Sequence, residues 1–167
     1  MITMIACTDI NDGIGDAEGN LLFKIPLDLA HFKSITSGKI VVMGRKTWDS
    51  LPKRPLPKRK NYVVTTDKSF TVKGATKVIN SIEEIVELGK HHDIYIIGGG
   101  EIYQQMMPYA DRLIMTHVHT ISNKAEVFFP KYDAKEWKMA SALKNEASSK
   151  FPHSFTFATY ERNRTQK

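Results

Sequence analysis

Apolar runs that alternate with amphipathic segments divide most of the chain into strands and helices. Three runs are mostly apolar, as is typical of strands buried on both faces of a parallel sheet: Ile2–Cys7, Ile40–Met43 and Ile94–Ile97. Further strands are predicted at Tyr62–Thr66, Lys77–Ile79 and Arg112–Val118. Strands that alternate with helices favour a mostly parallel sheet covered on both faces, and ligands bind such sheets at the carboxyl ends of the strands.

The segments between these strands carry the signals of helix ends. Ser81 and Glu84 form a capping box at the start of one helix, which Gly89 is expected to end. Two shorter helices are predicted over Arg45–Leu51 and Glu101–Met107. Both follow a buried strand closely, so their first residues are expected at the edge of the sheet where ligands bind.

Two regions depart from the alternation. The segment Asp9–Asn20 contains three glycines and is predicted to be a long flexible loop, of the kind that often acts as a lid. After a short apolar turn at Val127–Pro130, two longer strands, Trp137–Leu143 and Ser154–Tyr160, are expected to pair as an antiparallel hairpin. The expected fold class is therefore α/β, with a mostly parallel central sheet and an antiparallel C-terminal edge.

Asp28 is a charged residue on the apolar side of another predicted helix. Pro26 suits the first turn of this helix, and Gly38 suits its end. Asp28, Phe32 and Ile35 follow at i, i+4 and i+7 and share one face. A buried carboxylate is unfavourable unless it is paired, and no Lys or Arg stands at the same-face positions. Either Asp28 caps its own first turn, the commoner case, or it meets a cationic or hydrogen-bonding ligand.

Two strand ends carry residues suited to phosphate. Gly98–Gly100 lets a backbone approach a ligand closely and turns N–H groups toward an anion, although the spacing is neither GxGxxG nor a Walker motif. Gly44–Thr47 brings two cations and a hydroxyl to the start of a helix, and Thr65 and Thr66 add hydroxyls. Together they predict two phosphate sites at one edge of the sheet, as a dinucleotide with an extra phosphate needs. The alternatives are a tight turn and a solvated basic turn.

Composition sets the class of protein but does not choose its ligand. The chain has 167 residues, 41% of them hydrophobic and 25% charged, which fits a single globular domain. A formal charge of +6 favours an anionic partner of unspecified kind. Cys7 is the only cysteine, and the start of the chain lacks a basic leader, so no intrachain disulfide and no signal peptide are expected. No apolar run is long enough to cross a membrane.

Other chemistries find less support. The loop Lys53–Lys60 has five cations in eight residues, but it lacks the interleaved aromatic residues of a nucleic-acid surface. His117 and His119 share one face of a strand, yet no further ligands complete a metal site, so no metal is predicted. Cys7 has no base beside it in sequence, and packing is the better interpretation.

Several motifs, in order and in register from Ile2 to about Tyr160, resemble the dihydrofolate reductase family. They are Ile5-Ala6, Ile14-Gly15, Pro26-x-Asp28-x-x-x-Phe32, Val42-Met43-Gly44-Arg45-Lys46-Thr47-Trp48, Pro55-Leu56-Pro57-x-Arg59, Ile97-Gly98-Gly99-Gly100-x-Ile102-Tyr103 and Thr116-His117. The resemblance implies an eight-stranded sheet with four helices. It also implies an NADPH-dependent reduction of 7,8-dihydrofolate to tetrahydrofolate. The enzyme would be a cytoplasmic monomer that antifolates inhibit. The alternative is a pyrimidine reductase of the riboflavin pathway, which is not expected to pair the Asp28 helix with Arg59.

The resemblance also implies roles for individual residues. Asp28 would hydrogen-bond the pterin and favour protonation at N5, which makes C6 a better hydride acceptor, with Thr116 supporting Asp28 and Phe23 close by. The residues implied to contact the substrate are Ile5, Cys7, Phe32, Leu51, Leu56, Arg59 and Ile97. Those implied to contact the cofactor are Ala6, Ile14, Gly44, Arg45, Lys46, Thr47, Thr65, Thr66, Gly98, Gly99, Gly100, Glu101, Ile102 and Tyr103.

Within these sets, Arg59 would bind the glutamate α-carboxylate. The 2′-phosphate would be bound by Arg45, Lys46 and Thr65. The first Gly-Gly bond of the triple glycine is implied to be cis, and Asn11–Leu22 is implied to be the lid over the nicotinamide. The sequence departs from the family at three places. Leu22-Phe23 replace a Pro-Trp pair, Cys7 replaces a common Ala, and Asn80 stands where some members have a Lys. Phe23 has no indole N–H to hold a water at the site.

Overall fold

A computed structural model describes residues 1–74 and 77–163, and ten strands and four α-helices lie within these ranges. The helices are α1 Pro26–Thr36, α2 Arg45–Ser50, α3 Ile82–His91 and α4 Gly100–Met106, with a 3-10 turn at Met107–Tyr109. The strands are β1 Ile2–Thr8, β2 Gly13–Gly15, β3 Ile40–Gly44, β4 Lys60–Val64, β5 Lys77–Ile79, β6 Ile94–Gly98, β7 Arg112–Val118, β8 Val127–Phe128, β9 Trp137–Asn145 and β10 Phe155–Arg162. Within the same ranges, no helix is long and apolar enough to cross a membrane.

Eight of the described strands form one sheet in the order β5-β4-β3-β6-β1-β7-β10-β9. The first six run parallel to their neighbours, and β10 runs antiparallel to both β7 and β9. The predicted fold class is therefore confirmed, including the C-terminal hairpin at the edge. Because β3, β6 and β1 are adjacent and parallel, the connections that follow them open at the same edge of the sheet.

The two faces of the sheet carry separate apolar layers, because successive residues of a strand point to opposite sides. In β1, Met4 joins the layer that contains Ile85 of α3. The next residue, Ile5, joins the layer that contains Phe32 of α1 and Trp48 of α2. The site described below lies on the Ile5 side, between the sheet and α1.

The prediction that Gly89 ends its helix is wrong. Helix α3 begins after its N-cap Ser81, whose hydroxyl accepts a hydrogen bond from the Glu84 N–H at 3.3 Å, and it continues through Gly89 to His91. A Cβ at position 89 would lie 2.4 Å from Cγ1 of Ile2. Glycine is present here because the helix backbone packs directly against β1, and it is not a terminator.

The loop predicted at Asp9–Asn20 is more ordered than its composition indicates. It contains β2, which pairs antiparallel with β8, so the predicted turn at Val127–Pro130 also contains a strand. The Asp9 carboxylate accepts hydrogen bonds from the N–H groups of Asn11 at 2.9 Å, Gly13 at 2.7 Å and Ser122 at 3.0 Å. These bonds hold the loop against the segment that follows β7.

Candidate active site

The carboxylate of Asp28 lies half-buried between α1 and the sheet. Ile25 is the N-cap residue of α1 and Pro26 is its first residue, which places Asp28 in the first turn. The hydroxyl of Thr116 on β7 donates a hydrogen bond of 2.6 Å to Oδ1 of Asp28. That distance is typical of a hydroxyl bound to a charged carboxylate. The structure thus brings together the two residues that the resemblance paired.

The surroundings of Asp28 act on the pKa of its carboxyl in opposite directions. Burial raises the pKa of the Asp28 carboxyl above its ordinary value, while the Thr116 hydroxyl, the His31 ring and the Cys7 thiol each oppose that rise. Burial, and then the charge of Asp28, raise the pKa of the Cys7 thiol well above its ordinary value. Burial lowers the pKa of His31, and Asp28 opposes the change. Cys7 is therefore a thiol in this site, and the charge resides on Asp28.

Apolar side chains on two sides form the walls around Asp28. Five of the predicted substrate contacts belong to one apolar cluster: Ile5, Phe32, Leu51, Leu56 and Ile97. Cys7 and Phe23 pack with a second cluster that includes Phe155 and Phe157. Phe23 meets Phe151 edge-on, with 6.0 Å between ring centroids. The predicted substrate residues thus belong to two apolar clusters, and Cys7 of the second cluster is in contact with the Asp28 carboxylate.

Arg59 lies at the other end of α1 from Asp28. Its Nε donates to the Pro57 carbonyl at 2.9 Å, and its Nη1 donates to the Thr36 hydroxyl at 3.1 Å. Its guanidinium carbon is 5.8 Å from the centre of the Phe32 ring. No ion pair formed within the described ranges involves Arg59. The side chain is thus oriented by neutral groups and keeps its charge available for a carboxylate.

The triple glycine and the connection after β3 meet in one cradle. Gly98 has φ +132°, a conformation that favours glycine, and the Gly98–Gly99 peptide is cis, as predicted. A Cβ on Gly98 or on Gly99 would lie 3.3 Å from Oγ1 of Thr47. A Cβ on Gly44 would lie 3.8 Å from the Gly99 nitrogen. Side chains on these glycines would fill the cradle, so the residues present fit the close approach of a pyrophosphate.

Four of the predicted cofactor residues lie around or beneath this cradle. Ala6 is buried in β1. Ile14 comes from the Asp9–Asn20 loop, and its Cδ1 would be 3.9 Å from a Cβ on Gly100. Ile102 and Tyr103 are buried, and the Tyr103 hydroxyl donates to the Ile5 carbonyl at 2.6 Å. Ile102 and Tyr103 therefore support the cradle from below, whereas Glu101 is exposed at its rim.

The basic end of the site lies after β3 and β4. The guanidinium of Arg45 is 4.1 Å from the centre of the Phe70 ring, and Lys46 beside it is exposed. Strand β4 ends at Val64, two residues earlier than predicted, so Thr65 and Thr66 lie beyond it. Because Gly44 pairs with Val64, Thr65 and Thr66 follow β4 at the same edge of the sheet at which Arg45 follows β3.

Sequence reasoning missed two groups of residues at the site. His31 stacks on Phe157, with 3.9 Å between ring centroids and 12° between planes. His31 stands three residues after Asp28, a spacing that puts both on one helical surface, so a search for titratable neighbours would have found it. Phe157 comes from a distant strand, and no local pattern indicates it. Asp67, an acidic neighbour of Arg45, directly follows Thr65 and Thr66, so a search for charges beside the predicted phosphate residues would have found it.

An α/β sheet with a glycine cradle at the carboxyl ends of its strands, and a half-buried carboxylate at the same edge, defines a nucleotide-binding enzyme. The sequence model of the family described as Dihydrofolate reductase matches residues 1–162. The chain is 38% identical to dihydrofolate reductase of Bacillus subtilis, covering 100% of this chain and 98% of the relative. It is 39% identical to that of Neisseria meningitidis, covering 96% and 98%.

A solved structure agrees with the sequence relatives. Dihydrofolate reductase from Enterococcus faecalis, complexed with NADP(H) and RAB-propyl, superposes with a TM-score of 0.91 at 30% identity, covering 98% of this chain and 97% of that one. This chain belongs to the dihydrofolate reductase family. Membership confirms the predicted family and enzyme class, an NADPH-dependent oxidoreductase that reduces dihydrofolate. The pyrimidine reductase alternative is not favoured.

Proposed function

We propose that Asp28 is the group that polarises the substrate when this enzyme reduces dihydrofolate. The observation that carries the proposal is a half-buried carboxylate that accepts a hydrogen bond of 2.6 Å from Thr116 and lies on the same side of the sheet as the apolar residues Ile5 and Phe32. In its charged form Asp28 accepts hydrogen bonds from the amino group and ring nitrogen of the pterin. Its negative charge favours a proton at N5, and C6 then becomes the electrophilic carbon.

The rest of the pocket positions the substrate. Phe32 and Leu51 contact its rings, and Leu56 extends that wall toward Arg59. Arg59 binds the glutamate α-carboxylate with its planar fork, because neutral partners already hold the guanidinium in place. Phe23 packs on the opposite cluster and excludes water without donating a hydrogen bond. A fixed orientation of this kind converts binding into rate enhancement.

NADPH, when bound, supplies the hydride. The cradle of Gly44, Thr47 and Gly98–Gly100 holds the pyrophosphate through backbone N–H groups and the Thr47 hydroxyl. Arg45 and Lys46, with the hydroxyls that follow β4, bind the 2′-phosphate. Ile14 lies against the cradle from the lid loop, so an ordered loop and a bound cofactor support one another.

The test is to follow NADPH absorbance with dihydrofolate present, for the wild type and for Asp28→Asn. Asn retains an oxygen for Thr116 but cannot carry the charge, so turnover at neutral pH should fall by about a hundredfold or more while NADPH binding persists. The loss should be smaller in acid, where the substrate is protonated beforehand. Equal losses at every pH, in a folded variant, would contradict the role given to Asp28.

We also propose that the enzyme acts as a cytoplasmic monomer and binds antifolates at the Asp28 pocket. The free thiol of Cys7 beside Asp28 suits a reducing compartment. The edge strand β9 exposes Met139 and Leu143, but Lys138 and Lys144 flank them and disfavour pairing with a second edge. Light scattering after size-exclusion chromatography measures the oligomeric state, and a dimer at micromolar concentration would contradict the proposal.

A further inference from the structure

Arg45, the residue proposed to bind the 2′-phosphate, already has two acidic neighbours. Its Nε is 3.8 Å from Oδ2 of Asp49, one turn along α2, and its Nη1 is 3.5 Å from Oδ2 of Asp67 in the loop after β4. The ring of Phe70 lies 4.1 Å from the guanidinium carbon. An anion that binds Arg45 therefore approaches a site where negative charge is already present.

Asp67 is held in place by its own loop and does not depend on Arg45. Its Oδ1 accepts hydrogen bonds from the Ser69 N–H at 2.9 Å and from the Ser69 hydroxyl at 2.6 Å. The backbone N–H of Asp67 donates to the hydroxyl of Thr65 at 3.2 Å, and Thr65 is itself proposed to face the cofactor. Because none of these bonds involves Arg45, they hold the second carboxylate oxygen of Asp67 beside Arg45 independently of the group that Arg45 binds.

A carboxylate at this position has opposite effects on the two nicotinamide cofactors. It repels a 2′-phosphate bound to Arg45, although water screens the repulsion because the Asp67 side chain is 47% exposed. It can also accept a hydrogen bond from a ribose 2′-hydroxyl, the contact by which an acidic residue recognises NADH in other dinucleotide-binding folds.

We propose that Asp67 is a specificity-determining residue that lowers the preference of this enzyme for NADPH over NADH. Arg45 and Lys46 attract the 2′-phosphate, and Asp67 offsets part of that attraction while giving NADH a partner for its 2′-hydroxyl. The inference rests on the proposed position of the 2′-phosphate beside Arg45. It predicts that the chain binds NADH measurably, and that removing one carboxylate makes it more selective.

The experiment measures dissociation constants of NADPH and NADH by quenching of protein fluorescence, without turnover. Asp67→Asn keeps an oxygen for the Ser69 bonds, so the loop is preserved while the charge is removed. We expect Asp67→Asn to bind NADPH more tightly and NADH more weakly, which changes the ratio of the two constants by about three- to tenfold. An unchanged ratio, or weaker NADPH binding, would overturn the inference.

Two further variants separate the causes. Asp49→Asn also removes a carboxylate from Arg45, but Asp49 lies on α2 and is shared with Arg54 at 3.3 Å. Asp49→Asn should bind NADPH slightly more tightly and should bind NADH as the wild type does. If its affinity for NADH changes as much as that of Asp67→Asn, the proposed contact with the 2′-hydroxyl is overturned. Arg45→Ala should weaken NADPH far more than NADH. If it weakens both equally, the 2′-phosphate lies elsewhere and the proposed cofactor position fails together with the inference.

Discussion

The hydrogen bond between Thr116 and Asp28 allows the protonation of the site to be changed without altering its shape. Thr116→Val replaces the hydroxyl with a methyl group of similar size, at a position that is 3% exposed. The Asp28 carboxylate then loses a 2.6 Å donor but stays in the same half-buried place. Because that donor favours the charged form, its removal should raise the pKa of Asp28 further above the ordinary value.

The size of the effect follows from the geometry. A hydrogen bond to a charged group contributes roughly 1.5–3 kcal/mol, and the lower end applies because Asp28 is only half-buried and also contacts the Cys7 thiol. About 1.5 kcal/mol corresponds to roughly a tenfold change in the acid dissociation constant of Asp28. At neutral pH the same loss lowers the free energy of unfolding. For a domain of this size, Tm should fall by roughly 3–6 °C.

The assay is the pH dependence of kcat/KM, which reports ionisations of the free enzyme. The acid limb should move to higher pH in Thr116→Val, because less Asp28 is charged at each pH below its pKa. Thr116→Ser keeps the hydroxyl and is the matched control, so its acid limb should coincide with that of the wild type. The difference in unfolding free energy between Val and Ser variants should shrink in acid, where Asp28 is neutral in both.

An acid limb that is identical in all three proteins would refute the reasoning, because Asp28 protonation would then not depend on Thr116. A limb that moves equally in the Val and Ser variants would also refute it. In that case the methyl group of Thr116, through packing on β7, would control the site in place of its hydroxyl.

Three other changes test separate parts of the structure. Asp28→Asn should stabilise the free protein at neutral pH, since the raised pKa means that ionised Asp28 is unfavourable to folding; urea titrations should show the gain vanish below the ordinary Asp pKa. Gly99→Ala should weaken the binding of NADPH about tenfold, as measured by calorimetry, because the added Cβ would occupy the cradle. Its Tm should be nearly unchanged, because within the protein that Cβ would meet only Thr47. Gly89→Ala should lower stability by about 1–3 kcal/mol in denaturant titrations through its 2.4 Å contact with Ile2, with unchanged NADPH affinity.

Much of the fold could be predicted because its signals are local. The apolar runs that became β3 and β6 are buried on both faces, which fixes them as interior strands whatever surrounds them. Ser81 begins α3 as predicted because the capping bond to Glu84 lies within four residues of sequence. The family resemblance implied the number of strands, but the order of the strands in the sheet was not predicted, because spacing along the chain does not show which strands are neighbours.

The features that sequence reasoning missed depend on contacts between distant segments. Gly89 has the usual appearance of a helix stop, and only the approach of Ile2, far away in sequence, shows why it is glycine. The lid loop has the composition of a flexible segment, but Asp9 receives a hydrogen bond from Ser122, and β2 finds its partner in β8. A glycine or an aspartate can have several structural roles in the same local sequence, and contacts with distant segments decide which role it has.

The two ends of the site differ in how far the protein alone satisfies their charges. At the substrate end, burial raises the pKa of Asp28, and Arg59 has no acidic partner within the described ranges. Both groups gain most when a ligand supplies the donor or carboxylate that the chain omits. At the adenosine end Arg45 already has Asp49 and Asp67. Under the proposed roles, substrate recognition uses a carboxylate and a guanidinium that form no ion pair within the described ranges. Cofactor recognition instead adds an anion to a guanidinium that already has two acidic neighbours, and its selectivity depends on Asp67, which stays beside Arg45.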